Sequence, residues 1–423
     1  MNASTPEPPP AAFVGIDWAD QKHDVVLRLS AAPEKVEHQV LPNTPEAVRD
    51  WITQVQQRLG PSAKILVCLE QSRGALLYQL MGYECFELYP INPAQLANYR
   101  QAFATSGAKS DRPDADLLSE LIACHRDRLK AWKPDDVQTR QLAALTEGRR
   151  HAVDQRTRLA QELKSQLKLY FPVALQVLDH DTATALAADL LLNWPTLAAL
   201  QKVSAAKLRQ FCYGHHCRQE SKLLERLRLI RDATPLTRDA AVIEPAALRV
   251  QLLAQQLKAL LPFVARYDQQ IAAPFDSHPD NFLFRDLPGA GPALAPRLLT
   301  AFGSDRERFA SAAAVASLSG IAPVRRASGQ SVTVHLRWAC PKFLRQSFHE
   351  FAAASLRFCP WAKAAYDAQR ARGKGYHAAV RGVAFKWIRI LFACWKHRLA
   401  YDPTRYLQAL QTRGSAYAHA PAE

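Results

Sequence analysis

The segment AKILVCLE, residues 63–70, is too short for a helix and too apolar for a surface, so it reads as a buried strand that ends on an acid, Glu70. Upstream, AFVGID ends in the same way on Asp17. Between the two, HDVVLRL and EHQVL read as further strands, and TPEAVRDWITQVQQRL as an amphipathic helix opened by Thr44. After Glu70 come a helix in GALLYQLM, a fifth strand in ECFELYP, a helix in NPAQLANYRQAF and a closing helix in RPDADLLSELIACHRDRL.

A meander of three strands followed by strand, helix, strand, helix is the element order of the ribonuclease H or RuvC fold, whose first and fourth strands lie side by side. Adjacent strand tips bring Asp17 next to Glu70. Asp111 and Asp114, an i, i+3 pair at the start of the last helix, are placed to join them, while Asp116 should point away. Four converging carboxylates suit hard divalent cations, Mg2+ or Mn2+, and phosphoryl transfer on nucleic acid.

Charge points to the same kind of partner. The chain carries a formal +15 at pH 7, unevenly spread: Met1 to Lys133 holds 14 basic and 16 acidic residues, Arg285 to Glu423 holds 21 and 7. The last third is therefore the expected footprint on a phosphate backbone. MNASTPEPPPAA reads as a disordered leader (residues 1–11) and not a signal peptide, and no stretch is apolar enough to span a membrane, so the expected setting is soluble and cytoplasmic. The eight cysteines are scattered, several within apolar runs, as reduced core thiols are. CYGHHC, residues 212–217, is too crowded for tetrahedral zinc and reads as a polar loop.

After a RuvC-like domain at 12–134, residues 135–283 turn helical. Val250, Leu253, Leu257, Leu260, Val264, Tyr267 and Ile271 alternate by threes and fours, a continuous seam that Pro262 should kink without ending. Leu142, Leu145, Ala152, Leu159, Leu163 and Tyr170 form a weaker seam interrupted by Arg149 and Arg156. The pair suggests an antiparallel helical arm or a dimerising coiled coil, with an ordinary bundle equally compatible. A mainly helical domain follows at 284–410 and a flexible tail at 411–423. It opens on LPGAGPALAPRLL, whose Gly289 and Gly291 resemble a phosphate-holding turn before a helix, and continues through the polar turn VRRASGQS.

VGIDWADQKHDV, LEQS, INPAQLANYR and AKSDRPDADLL, with the later block LPGAGPALAPRLLTAFGSDRERFASAAAVASLSGIAPVRRASGQS, resemble the DEDD-type transposases of the IS110 family of bacterial insertion sequences, recombinases guided by a bridge RNA. The resemblance covers about residues 12–171 and 250–400 and departs locally at Cys340-Pro341-Lys342, before Arg345. It implies that Asp17, Glu70, Asp111 and Asp114 bind metal and that Ser328 is a nucleophile forming a covalent phosphoserine, with Ser331, Ser319 and Ser317 as rivals. A serine hydroxyl needs activation, which metal held by the acids would supply in a composite site. Arg325 and Arg326 could neutralise the phosphate.

DNA, as element ends and target, is expected along Arg337, Lys342, Arg345, Arg381, Lys386 and Arg389, with guide RNA on the N-terminal domain and arm. Trp338, Trp361, Trp387 and Trp395 interleave with these basic residues but fit a core better than stacking platforms. Strand exchange needs at least two active sites, hence a dimer or tetramer. Two other readings stay open: a hydrolytic RuvC-like nuclease or junction resolvase, and an inactive basic scaffold.

Overall fold

A computed structural model describes residues 9–70, 74–103, 114–329 and 331–417. The chain divides into two compact units, Met1–Pro134 and Asp135–Glu423.

The first unit is built on a five-stranded sheet of β1 (Ala12–Asp17), β2 (Lys22–Leu29), β3 (Ala32–Pro42), β4 (Ile65–Leu69) and β5 (Phe86–Pro90), in the order β3-β2-β1-β4-β5. The first three strands form the antiparallel meander, and β4 and β5 run parallel to β1. The helices are α1 (Pro45–Leu59), α2 (Ala75–Leu80), α3 (Pro93–Phe103) and α4 (Asp114–His125). Thr44 caps α1 by accepting a bond from the Ala47 N–H.

Every residue of β4 is buried, which explains its unbroken apolar run. Its alternate side chains feed two cores. Ile65, Val67 and Leu69 pack with α1 and α2 residues such as Trp51, Ile52 and Leu77, while Leu66 and Cys68 pack with Leu118 and Ile122 of α4. Each such buried leucine contributes roughly 2 kcal/mol.

Gly15 fixes how closely α4 lies on the sheet. A Cβ there would stand 1.9 Å from the Ala115 carbonyl oxygen and 2.4 Å from the Ser119 nitrogen, both backbone atoms that cannot give way. Gly15→Ala is therefore expected to destabilise the N-terminal unit by roughly 2–4 kcal/mol. Urea denaturation followed by circular dichroism checks this, and an unchanged midpoint would mean that α4 does not rest on β1.

The second unit is helical. α5 (Val137–Tyr170) and α11 (Ala240–Asp276) run antiparallel, joined along their length by Gln138 to the Pro274 carbonyl at 2.8 Å, Arg149 to Asp268, and Arg249 to Glu162 at 3.0 Å. The expected seam is their contact: Val250, Leu253, Leu257, Val264 and Ile271 are buried, and α11 continues through Pro262. Arg149, which interrupts the weaker seam, is accommodated by its ion pair. Gly148 leaves room for Tyr267, whose ring carbons a Cβ would meet at 2.9 Å.

Between them α6 (Val173–Val177), α7 (Ala185–Asn193), α8 (Leu197–Gln201), α9 (Ala205–Gly214) and α10 (Glu220–Asp232) close one core at the Tyr170 end of the pair. CYGHHC ends α9 in a Schellman turn: His216 has φ +59°, its N–H donates to the Tyr213 carbonyl at 3.1 Å, and the Cys217 N–H donates to the Cys212 carbonyl at 2.9 Å.

The remaining elements are α12 (Gly291–Phe302), α13 (Ala312–Leu318), the hairpin β6 (Val324–Ser328) and β7 (Ser331–His335), α14 (Lys342–Ser355), α15 (Pro360–Ala371), α16 (Tyr376–His397) and α17 (Pro403–Thr412). Their core also takes in Leu142, Ile271 and Phe275, so the roots of both long helices belong to it. Gly289, at φ +82°, packs on the α14 backbone at Ala354, so close packing is what its missing Cβ serves. Trp361, Trp387 and Trp395 are in this core with their N–H groups bonded, whereas Trp338 is 79% exposed. Among the described residues, no helix is long and apolar enough to cross a membrane.

Candidate active site and nucleic-acid interface

Asp17 and Glu70 meet because of register. Gly15 pairs with Cys68 and Ile16 with Leu69 in the parallel β1–β4 ladder, so the next residues on the two strands are Asp17 and Glu70. Period-2 alternation turns Gly15, Asp17, Cys68 and Glu70 to the face that α4 covers. Because Ala115 rests over Gly15, Asp114 in the first turn of α4 stands over the same strand tips, where the helix N-terminus favours a carboxylate. Asp111 lies outside the described residues.

The electrostatics register this convergence. Burial pushes the Asp17 carboxyl above the usual carboxylate range, and the charges of Asp114, Glu70 and Asp24 push it further, against the pull of Arg100. Glu70 is raised by burial and then by Asp114, again against Arg100. Asp24, absent from the sequence expectations, stands directly opposite Asp17 in the β1–β2 ladder. Like charges facing one another across a ladder are destabilising, a cost that a functional site explains and a structural role does not. The signal for it was the meander itself, which folds the two residues together.

A second cation organises the back of the site. Asp116 does turn away from the cluster, into a buried ion pair with Arg28 of β2. Arg28 also donates to Ser119 Oγ at 2.8 Å and to the Pro33 carbonyl at 3.1 Å, tying α4 to the sheet. Loss of one partner from such a buried pair typically costs about 3–5 kcal/mol.

The donor set is oxygen only, which suits Mg2+ or Mn2+ and not zinc or copper. Among the described residues, no three His, Cys, Asp or Glu side chains stand in ligating geometry. Instead Arg100 of α3 forms an ion pair with Asp114, a cation standing where the carboxylates call for one.

In the second unit the expected polar turn is a hairpin. Ser328 ends β6 opposite Ser331, both exposed, with Gly329 at φ +54° following Ser328. The pairing separates the two arginines: Arg326, opposite Thr333, shares the Ser328 face, whereas Arg325, opposite Val334, lies on the other face with Ala327. Ser319 is buried, its hydroxyl bonded to the Ala316 carbonyl, and Ser317 is half-buried in α13.

Of the basic residues expected to face DNA, Lys342 and Arg389 are exposed and Arg337, Arg345, Arg381 and Lys386 are half-buried. Arg345 donates to the carbonyls of Arg337 and Trp338, so it shapes the loop before α14. Burial and then Arg345 hold Arg381 below its ordinary range, and burial and then Arg389 do the same to Lys386, which also lies 4.7 Å from the Tyr417 ring centroid. Neighbouring cations that repel one another at a protein surface are relieved by a polyanion.

An RNase H-like sheet with acids on its adjacent central strand tips, followed by a basic helical unit, defines a nucleic-acid phosphoryl-transfer protein. The DEDD-type IS110 family model, described as "Transposase", matches residues 14–172, and a model described as "Transposase IS116/IS110/IS902 family" matches residues 282–367. The chain belongs to the IS110 family of transposases. It is 28% identical to the "Mini-circle putative transposase for IS117" of Streptomyces coelicolor over 93% of this chain and 96% of that one. The "Insertion element IS110 uncharacterized 43.6 kDa protein" of the same organism is 27% identical over 92% and 95%. The "Insertion element IS900 uncharacterized 42 kDa protein" of Mycobacterium paratuberculosis is 25% identical over 74% and 77%.

Proposed function

We propose that this transposase cuts and rejoins DNA through a covalent serine intermediate, with a divalent metal at the acidic cluster and a guide RNA choosing the sites. The observation that carries the reading is the pair of unlike reactive groups: half-buried carboxylates clustered at β1, β4 and α4, and an exposed serine at the end of a hairpin with an arginine on its face.

Asp17, Glu70 and Asp114, with Asp111, would hold Mg2+ or Mn2+. When bound, the ion would polarise the phosphate and lower the barrier for an oxygen nucleophile. Ser328 Oγ attacks the scissile phosphorus, the bond from phosphorus to one deoxyribose oxygen breaks, and that oxygen leaves as a hydroxyl while the serine gives up its proton. Attack by a hydroxyl of a second strand on the phosphoserine reverses the step and rejoins DNA without an external energy source. Arg326, on the same strand face as Ser328, would offset charge on the phosphate during both steps.

Backbone contacts suffice for the protein if pairing selects the sequence, and the basic C-terminal helices suit that role. Strand exchange in this scheme requires two or more copies. The test is co-expression with the non-coding DNA flanking the gene, followed by sequencing of copurified RNA and denaturing gels of a labelled DNA substrate. One enriched RNA and a protein-linked DNA band are expected. Free DNA ends without a linked species would point to water as the nucleophile, and an RNA profile matching bulk cellular RNA would remove the guide.

A further inference from the structure

We propose that Arg100 is the resident counter-cation of the acidic pocket and competes with the divalent metal for it, so that its guanidinium must release Asp114 before the ion can settle. This inference rests on the metal reading of the pocket and assigns a role to a residue outside the four acids.

Arg100 lies in the last turn of α3, which the edge-to-face contact of Tyr99 with His125, 5.8 Å between ring centroids, holds beside α4. From there its Nη2 reaches the Asp114 carboxylate. The pair is partly open to solvent, at 37% and 28% side-chain exposure, so its parts can separate without breaking the core. Three acids converge at the strand tips and a fourth faces Asp17, and among the described residues Arg100 is a cation whose field reaches Asp17 and Glu70 as well as Asp114.

A guanidinium matches a carboxylate by its planar fork of donors, but it carries a single charge and gives no oxygen site. A hard divalent ion needs the same carboxylate oxygens and is repelled by a guanidinium alongside. The two occupants exclude one another. Arg100 thus keeps the pocket from being an uncompensated cluster of negative charge, and weakens metal binding until the site is engaged.

The test uses the full-length protein without nucleic acid. Mn2+ binding is followed by the loss of the free-ion electron paramagnetic resonance signal, and thermal unfolding is recorded in EDTA and in excess Mn2+. Arg100→Gln is expected to bind Mn2+ roughly three- to tenfold more tightly than wild type, and to unfold at a lower temperature in EDTA but not in Mn2+. Arg100→Lys keeps a charge but loses the fork, so its affinity should fall between the two, and it serves alone if the glutamine variant does not fold. Equal or weaker binding by the folded variants would overturn the competition and make Arg100 a strut that aims Asp114. No Mn2+ uptake by wild type would instead remove the metal reading itself, and the competition with it.

Discussion

Asp17→Asn is expected to lower DNA cleavage by at least about 10³-fold, since a ligand that orients a charge-stabilising cation is worth several kcal/mol in the transition state. The same substitution should spare DNA binding, which the proposal assigns to the basic surface of the other unit, and should not harm the fold. Burial and the charges of Asp114, Glu70 and Asp24 raise the Asp17 carboxyl in the folded state. A raised acid binds its proton more tightly when folded, so its contribution to stability is greatest below the unfolded value and is lost as pH climbs through the carboxylate range. Without metal, wild type should therefore lose stability relative to Asp17→Asn as pH rises from the ordinary aspartate value of about 4 through the raised folded-state value. Melting curves in EDTA across that range, beside cleavage assays, check both parts. A variant that cleaves at the wild-type rate refutes the ligand role, and one that melts well below wild type at pH 7 refutes the electrostatic account.

Ser328→Ala should abolish the protein-linked DNA species and reduce strand exchange by at least about 10⁴-fold, because removing a nucleophile leaves only the residual catalysis of its surroundings. Its exposed place at the hairpin end makes the substitution structurally mild. Arg326→Ala should cost about 10²–10³-fold and Arg325→Ala much less, since only the former shares the serine's face. Mass spectrometry of peptides from trapped reactions locates the linkage. Persistence of the adduct in Ser328→Ala, with the label on Ser331, would move the nucleophile two positions past Gly329 and leave the rest of the scheme standing.

Much of the N-terminal domain is legible because its determinants are local. Apolar runs that end on an acid identify β1 and β4, and the element order sets the two side by side, which brings Asp17 to Glu70. The three-four seam of α11 likewise foretells a long helix with one buried stripe, because its period is written in the side chains. The hairpin at 324–335 is hidden from such reasoning: Val332 and Val334 are exposed, so no buried face marks those strands.

What tertiary structure alone decided is which charges face one another. Arg28 and Asp116 stand 88 positions apart, Arg100 and Asp114 belong to different helices, and Asp24 meets Asp17 only once the meander has closed. Arg149 looks like a flaw in its seam until Asp268 arrives from the antiparallel helix. The strands of the first unit, the long helices and the acids at the strand ends can be read directly from the chain, since backbone periodicity and burial act over a few residues. The partners of those acids were settled by how α3 and α4 lie on the sheet. That placement depends on a missing Cβ at Gly15 and on ion pairs between distant segments, neither of which has a repeat that a linear reading can detect.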